Sequence, residues 1–352
     1  MPVGQGELLG YESYLAVGRQ TAFATGNTAT ESLDFVSASF KESKEGKIIE
    51  EVTRQRTYAK RTPTGKVIEG EVEFYPYVES ASFVYLMQNA LGGTLTSATA
   101  TGETLGGNAF EHDIRIGAIQ DQSYPALHFN HRKGGSTSGK VFEYIGGRVN
   151  ELTINSEIDE ALKCSASLMF KDATFSGNNV SAALTQAADC HPLSFVDGRV
   201  SIENSFASLT SSSYWHVQSV EWGISNNLKS DSESRRIGSD TLDVMPAGIA
   251  NLNLKLTLRF DTSTARDNML NATNLACELN WQGPTLSSAS TIRRGLKLQL
   301  PAIQVSDSGD PEIGGPDELL TQEVVFHVLR DISSASGYAL RALITNTTSS
   351  YA

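Results

Sequence analysis

KVIEGEVEF (Lys66–Phe74) places Ile68, Gly70, Val72 and Phe74 on one side of an extended chain and Glu69, Glu71 and Glu73 on the other. A period of two belongs to a β-strand that buries one face and shows water the other. LKCSASLMF (Leu162–Phe170) repeats the pattern, with Cys164, Ala166 and Leu168 opposite Lys163, Ser165 and Ser167. So does ANLNLKLTLRF (Ala250–Phe260), with Leu252, Leu254, Leu256 and Leu258 opposite Asn253, Lys255 and Thr257. FVDGRVSI (Phe195–Ile202) sets Asp197-Gly198 between short apolar pairs and predicts a two-residue hairpin. One helix interrupts the strands. In VESASFVYLMQNALGG (Val78–Gly93) the apolar residues Phe83, Leu86, Met87, Ala90 and Leu91 recur at helical spacing, and Gly92-Gly93 ends the run. The predicted class is all-β with small flanking helices, a β-rich α+β chain.

Between the strand DFVSASF (Asp34–Phe40) and VIEGEVEF lies KESKEGKIIEEVTRQRTYAKRTPTGK (Lys41–Lys66). It is 26 residues long and holds 8 of the chain's 28 Lys and Arg, for a local balance of +4 in a chain of net charge −12. A structureless connection of that length is uncommon unless it has a job. It reads as a basic arm extended from an acidic β-protein.

The chain of 352 residues is long enough for two domains. Apolar content of 39% marks it as globular. A pI near 5.0 argues against a protein that grips nucleic acid over a broad basic face. The N-terminus lacks a basic segment followed by an apolar run, so no signal peptide is expected, and no apolar window is long enough to insert in a membrane. Three scattered cysteines, Cys164, Cys190 and Cys277, suit a reduced, cytoplasmically made protein without a disulfide framework.

The order of signals repeats. Strand 34–40, long polar loop, strand 67–74, helix 78–91, further strands and a last strand ending Phe170-Lys171-Asp172 occupy the first half. Strand 217–224, the charged loop 225–248, strand 250–260, helical STARDNMLNA (263–272), further strands and EVVFHVLRD (323–331) occupy the second. A pattern duplicated this way predicts two tandem units. Their expected bounds are 1–185, carrying arm 41–66, and 190–335, carrying loop 225–248, with 336–352 as a C-terminal tail.

GYESYLAVGRQTAFAT (Gly10–Thr25), the charged arm, EGEVEF and LMQNALGG are followed by YIGGRVNELTINSEIDEALKCSASLMFKDA (Tyr144–Ala173), PLSFVDGRVSI (Pro192–Ile202) and a closing strand ending Arg330-Asp331. This order resembles the tail tube proteins of long-tailed bacteriophages, in the branch where one chain carries two copies of the tube fold. The resemblance implies two β-sandwich or barrel units, each with a flanking helix. It implies rings whose sheets join into an inner barrel, and long loops that reach the neighbouring ring. The stacked rings would conduct viral DNA in the virion tail, beside tail terminator, tail-tip and tape-measure proteins. On that reading Lys41, Lys44, Lys47, Arg54, Arg56, Lys60 and Arg61 are the expected inter-ring contacts. Glu69, Glu71, Glu73, Glu151 and Glu157 are the expected lumen-facing residues, because an acidic wall lets DNA slide where a cationic one would hold it; the alternative places them on the outer wall, which needs charge for solubility. Two units per chain predict a homotrimeric ring of pseudo-sixfold symmetry, with a homohexamer as the alternative.

Nothing in the sequence carries catalysis, a cofactor or a metal. GGSTSGKV (Gly134–Val141) nearly spells a phosphate-binding loop, but Val141 offers no hydroxyl to a magnesium ion and a strand follows where a helix is needed. It reads as a Gly/Ser hairpin tip. His128 and His131, three apart on a strand, point to opposite faces and do not chelate one ion. No nucleophile-elbow pattern accompanies the serines. A carbohydrate-binding or adhesin sandwich is disfavoured because Trp215, Trp222 and Trp281 lie mostly within alternating strands. A hydrolase would need converging acids and bases that are not visible. A secretion-tube protein is the nearest physical alternative.

Overall fold

The structure is a computed structural model that describes residues 10–25, 29–51, 57–58, 60–101, 109–117, 125–134, 140–176, 184–187, 190–209, 214–260, 264–286, 291–309, 311, 319–332 and 337–351. In chain order the elements are β1 (Tyr14–Arg19), β2 (Glu31–Ser32), β3 (Ser37–Ile49), β4 (Lys60–Phe74), α1 (Ala81–Leu91), β5 (Leu95–Thr99), β6 (Phe110–Arg115), β7 (Leu127–Lys133), β8 (Lys140–Glu157), β9 (Lys163–Phe170) and β10 (Asp172–Ser176). The second half continues with β11 (Gly198–Glu203), β12 (Val217–Ser225), β13 (Asn251–Arg259), α2 (Thr264–Leu270), β14 (Leu275–Thr285), β15 (Arg293–Ser308), β16 (Thr321–Leu329) and β17 (Arg341–Asn346).

The alternating segments build one antiparallel ladder of eight strands in the order β3–β4–β9–β8–β12–β13–β16–β15. Four strands come from each half, in the same relative order, and β8 meets β12 where the halves join. One face of this ladder is apolar: Ile68, Val72, Phe74, Leu168, Phe170, Ile154, Trp222, Leu254 and Phe326 are all buried. Because successive residues point to opposite faces, the other face must carry the polar partners.

Two long strands turn the ladder into a sandwich. β8 pairs through residues 140–147 with β7 and 141–145 with β10, then through 148–155 with β9 and 151–157 with β12. At the bend Gly146 adopts φ +67°, and its N–H donates to the Gln20 side chain at 2.9 Å. β15 behaves alike. Its first half pairs with β14 and β17 and its second half with β16, with Pro301 at the change-over.

Helix α1 packs on β8, β1 and β2. It starts one turn later than the periodicity predicts, after Ser80, and ends at Gly92 in the left-handed conformation (φ 67°). Its polar residues are buried too, and they are satisfied: Asn89 accepts from Val149 N–H at 2.7 Å and donates to the Pro125 carbonyl at 2.9 Å. Such pairing removes the cost of burying an amide.

Three expectations are corrected. The 26-residue arm is not an irregular loop: β3 and β4 stay paired from Ser37↔Glu73 out to Ile49↔Lys60. A two-stranded ribbon wet on both faces needs no hydrophobic alternation, so the period-two signal fades past Phe40 while the ladder continues. Pro63, which has no N–H to give, lies opposite Gly46 at the one register shift.

Asp197-Gly198 is not a hairpin turn. Phe195–Asp197 is a 3-10 turn in which the Asp197 carboxylate accepts from the Ser194 N–H (2.9 Å) and hydroxyl (3.0 Å). Gly198 then opens β11, which pairs with β14. A Cβ at Gly198 would press on the Trp281 ring, so the glycine serves close packing.

The expected C-terminal tail contains β17, paired on one side with β15 and on the other with β6 of the first half. Leu340, Ala342 and Ile344 are buried, and Asn346 is held by the Val78 carbonyl (2.7 Å), the Tyr351 hydroxyl (2.7 Å) and His112 (2.9 Å). The end of the chain thus ties the two halves together.

His131 on β7 is 4% exposed and sits edge-on to Phe35 and Phe40. Burial, with Lys133 nearby, pushes its pKa down to about 4. A depressed imidazole is neutral in the fold but charges in the unfolded chain, so its stability contribution holds above pH 6.5 and is lost as pH falls toward 4. The loss is expected to reach about 3 kcal/mol. His131→Leu should flatten the denaturation-midpoint profile between pH 6.5 and 4 relative to the parent. Parallel profiles would exclude the effect.

Candidate functional site

The polar face of the eight-strand ladder gathers the glutamates singled out by sequence. Across neighbouring strands the register runs Ser39–Glu71–Ser167–Glu151–Ser225–Asn251 and Ser37–Glu73–Ser165–Thr153–Gly223–Asn253. Glu69, Glu71 and Glu73 on β4 and Glu151 and Glu157 on β8 therefore share one face, and all but half-buried Glu73 are exposed. Glu221 on β12 and Glu323 on β16 join them. Lysines are fewer on this face. Lys255 pairs with Glu323 at 2.9 Å, an interaction that raises the lysine pKa, and Lys163 pairs with Glu160 at 2.8 Å. Among the described residues none of the five expected lumen glutamates is in a direct ion pair, so the face keeps an acidic excess.

The expected inter-ring cations separate into different places. Lys41 stands opposite Glu69, on the same polar face as the glutamates. Lys44 is tied within the chain, its Nζ 2.7 Å from Asp240 Oδ2. Lys60 pairs with Glu51 at 3.0 Å inside the arm. Lys47 and Arg61 are exposed, and the Arg61 side chain lies over Gly46. Arg54 and Arg56 lie outside the described residues. Sequence reasoning missed that the arm also exposes Ile48 (48%), Ile49 (37%) and Tyr58 (64%).

The second long loop, 226–250, contains no strand and folds back on the root of the arm. Asp240 accepts from the Lys66 N–H at 2.7 Å, and the Arg235 guanidinium donates to the Lys66 and Asp240 carbonyls. Leu242 and Met245 are buried beneath it. Burial opposes the charge on Lys66, but Asp172, Glu42 and Asp240 outweigh it and raise the lysine pKa. The hydrogen bond from Lys44 lowers that of Asp240. The arm's root is thereby anchored and its outer part left exposed.

The remaining sequence candidates settle as follows. His128 Nε2 lies 2.9 Å from Glu143 Oε1, on the face of β7 opposite His131. Gly134 and Lys140 flank the glycine-rich hairpin between β7 and β8, whose tip, residues 135–139, lies outside the described residues. Trp222 and Trp281 are buried and Trp215 is half-buried. Cys164 and Cys277 are buried and Cys190 is exposed, all as free thiols. Among the described residues no cluster of three His, Cys, Asp or Glu is placed to hold a metal. No helix among them is long and apolar enough to cross a membrane.

Both ends of the ladder are open. Among the described residues no strand pairs with the outer edge of β3, and none pairs with the outer edge of β15 beyond Ile303. Unpaired edges of this kind are templates for another strand. A family model described as phage tail tube protein matches residues 10–328. No curated protein matches the sequence.

Proposed function

This chain belongs to the phage tail tube protein family, a structural and non-enzymatic component of the virion that polymerises into a tube, and from that membership we propose how the tube is built. Three chains form one ring, each supplying two units, so that the ring has pseudo-sixfold symmetry. The polar face of the eight-strand ladder lines the lumen, and viral DNA passes along it. The arm reaches the adjacent ring. The observation that carries this reading is the single one-sided ladder that crosses both halves and stays open at both ends. A heterologous contact between opposite ends closes a ring, whereas a self-complementary one would stop at a dimer.

Covalent linkage of the two units makes every second contact in such a ring intramolecular, which removes a bimolecular step. Glu69, Glu71, Glu73, Glu151 and Glu157 would face the DNA. Phosphates repelled by such a wall release no counterions to it, and the duplex slides. The tail terminator, tail-tip and tape-measure proteins are the expected neighbours at the tube's ends and within it.

Electron microscopy of the purified protein tests the reading, with averaging that imposes no symmetry. Tubes with three copies of the chain per ring and a net acidic lumen are expected. Six full-length copies per ring would replace the trimer by the hexamer, and a net positive lumen would overturn the assignment of the polar face.

A further inference from the structure

In each half of the ladder the fourth strand carries one bulge in its pairing with the third. On β8 the pairing with β9 shifts between Val149 and Glu151 and leaves Asn150 out of register. On β15 the pairing with β16 shifts between Val305 and Asp307 and leaves Ser306 out. When these bulges are matched, the neighbouring strands fall into step. Leu168 corresponds to Phe326, Gly70 to Leu254, and Phe40 to Trp222. The match places a buried aromatic side chain on the first strand of each half.

The correspondence also says what the open edges want. Within the chain β12 adds to the outer edge of β8, with Ser225 opposite Glu151, and the Ser225 hydroxyl donates to the Glu151 carboxylate at 3.1 Å. The same correspondence carries Ser225 to Ser43 on β3 and Glu151 to Asp307 on β15. A serine and a carboxylate recur at those positions. Asp307 is exposed, and Ser43 is half-buried with its hydroxyl on the Val67 carbonyl at 3.3 Å.

We propose that β3 of one copy adds antiparallel to the open edge of β15 in the next copy, with Ser43 opposite Asp307, Glu42 opposite Ser308 and Lys41 opposite Gly309, so that the junction between copies repeats the junction within the chain. This register rests on the tube reading above and specifies the contact that closes the ring. The charged Lys41, Glu42 and Lys44 keep the free edge from pairing indiscriminately before assembly. A one-residue slip would turn the apolar face of β3 toward the lumen, so the register is strongly specified.

Two measurements on assembled tubes test it. In unmodified tubes a zero-length carbodiimide should join Lys41 to Asp307, the diagonal neighbour within reach of a lysine. Within one chain that link would have to bridge the full width of the ladder. In a Cys190→Ser background, Ser43→Cys with Asp307→Cys should oxidise to covalent chain–chain products in tubes and not in unassembled protein. Ser225→Cys with Glu151→Cys, the in-chain counterpart, should close within one chain. Lys41→Cys with Asp307→Cys should not close, because a diagonal pair is too far apart for a disulfide. Tubes that give neither the Lys41–Asp307 link nor the 43–307 disulfide, or that close the 41–307 pair as readily, refute the register while leaving the tube intact. A parent chain that forms no rings refutes the self-assembly reading itself.

Discussion

Replacing residues 45–65 by Asn-Gly is expected to leave a folded, soluble chain that no longer makes tubes. Lys44 and Lys66 are directly paired, and a two-residue type I′ turn joins such a pair without distorting the ribbon. The excised segment has no buried residue among those described, and the anchoring contacts of Lys44 with Asp240 and of Arg235 with Lys66 remain. Stability should therefore change by no more than about 1 kcal/mol. Assembly should respond very differently. Exposed ion pairs are each worth only about 0–1 kcal/mol. The structure also shows Lys44 and Lys60 already paired within their own chain. The larger stake lies with Ile48, Ile49 and Tyr58, since full burial of a large apolar side chain contributes about 1.5–3 kcal/mol. Repeated around a ring, that sum separates tubes from loose rings. Microscopy together with a thermal melt decides the matter: normal tubes from the shortened chain would remove the arm from the inter-ring contact. A further Ile48→Ser, Tyr58→Ser variant should weaken assembly more than Lys47→Ser, and the reverse order would return the contact to charge.

The difference between the arm as read from sequence and as folded shows where legibility stops. Strands that bury one face announce themselves by alternation, so β9, β13 and the inner half of β4 from Lys66 to Phe74 were readable to within a residue or two. From them came the fold class and the clustering of Glu69, Glu71, Glu73, Glu151 and Glu157 on polar faces. The outer parts of β3 and β4 bury nothing on either side, and backbone pairing alone leaves no mark on side-chain pattern. β17 was hidden for a different cause. Its six residues follow a Ser- and Gly-rich stretch, and only the opening between β6 and β15 gives them a place. Asp197-Gly198 satisfies a turn rule, yet Asp197 is consumed as a cap and Gly198 by Trp281. The open edge of β15 reads as a loop because Ser306, Asp307, Ser308 and Gly309 offer no apolar period. Its meaning appears only when it is laid beside β8, where the equivalent edge is already occupied.

Arg294→Met is expected to cost the fold about 3–5 kcal/mol, the largest effect of any single substitution considered, because it removes the cation paired with a buried carboxylate. Arg294 Nη1 lies 2.7 Å from Glu79 Oε1, with the two side chains only 6% and 7% exposed. Glu79 immediately precedes the N-cap of α1 in the first half, and Arg294 lies at the start of β15 in the second. The pair therefore fastens the helix of one half to the long strand of the other. Two charges taken from water gain little net stability together, but either one alone retains its full desolvation cost. Glu79→Leu combined with Arg294→Met should accordingly recover most of what Arg294→Met loses, a coupling read directly from a double-mutant cycle in denaturant. A deficit below about 1 kcal/mol, or strict additivity in the cycle, would mean that water or another group relieves the carboxylate. The consequence for assembly follows from where β15 leads. The strand that Arg294 anchors ends in the open edge at Gln304–Gly309, and a loosened anchor leaves that edge without a fixed register. Tube formation should then fail at temperatures where the variant is still folded, and recover in the double variant.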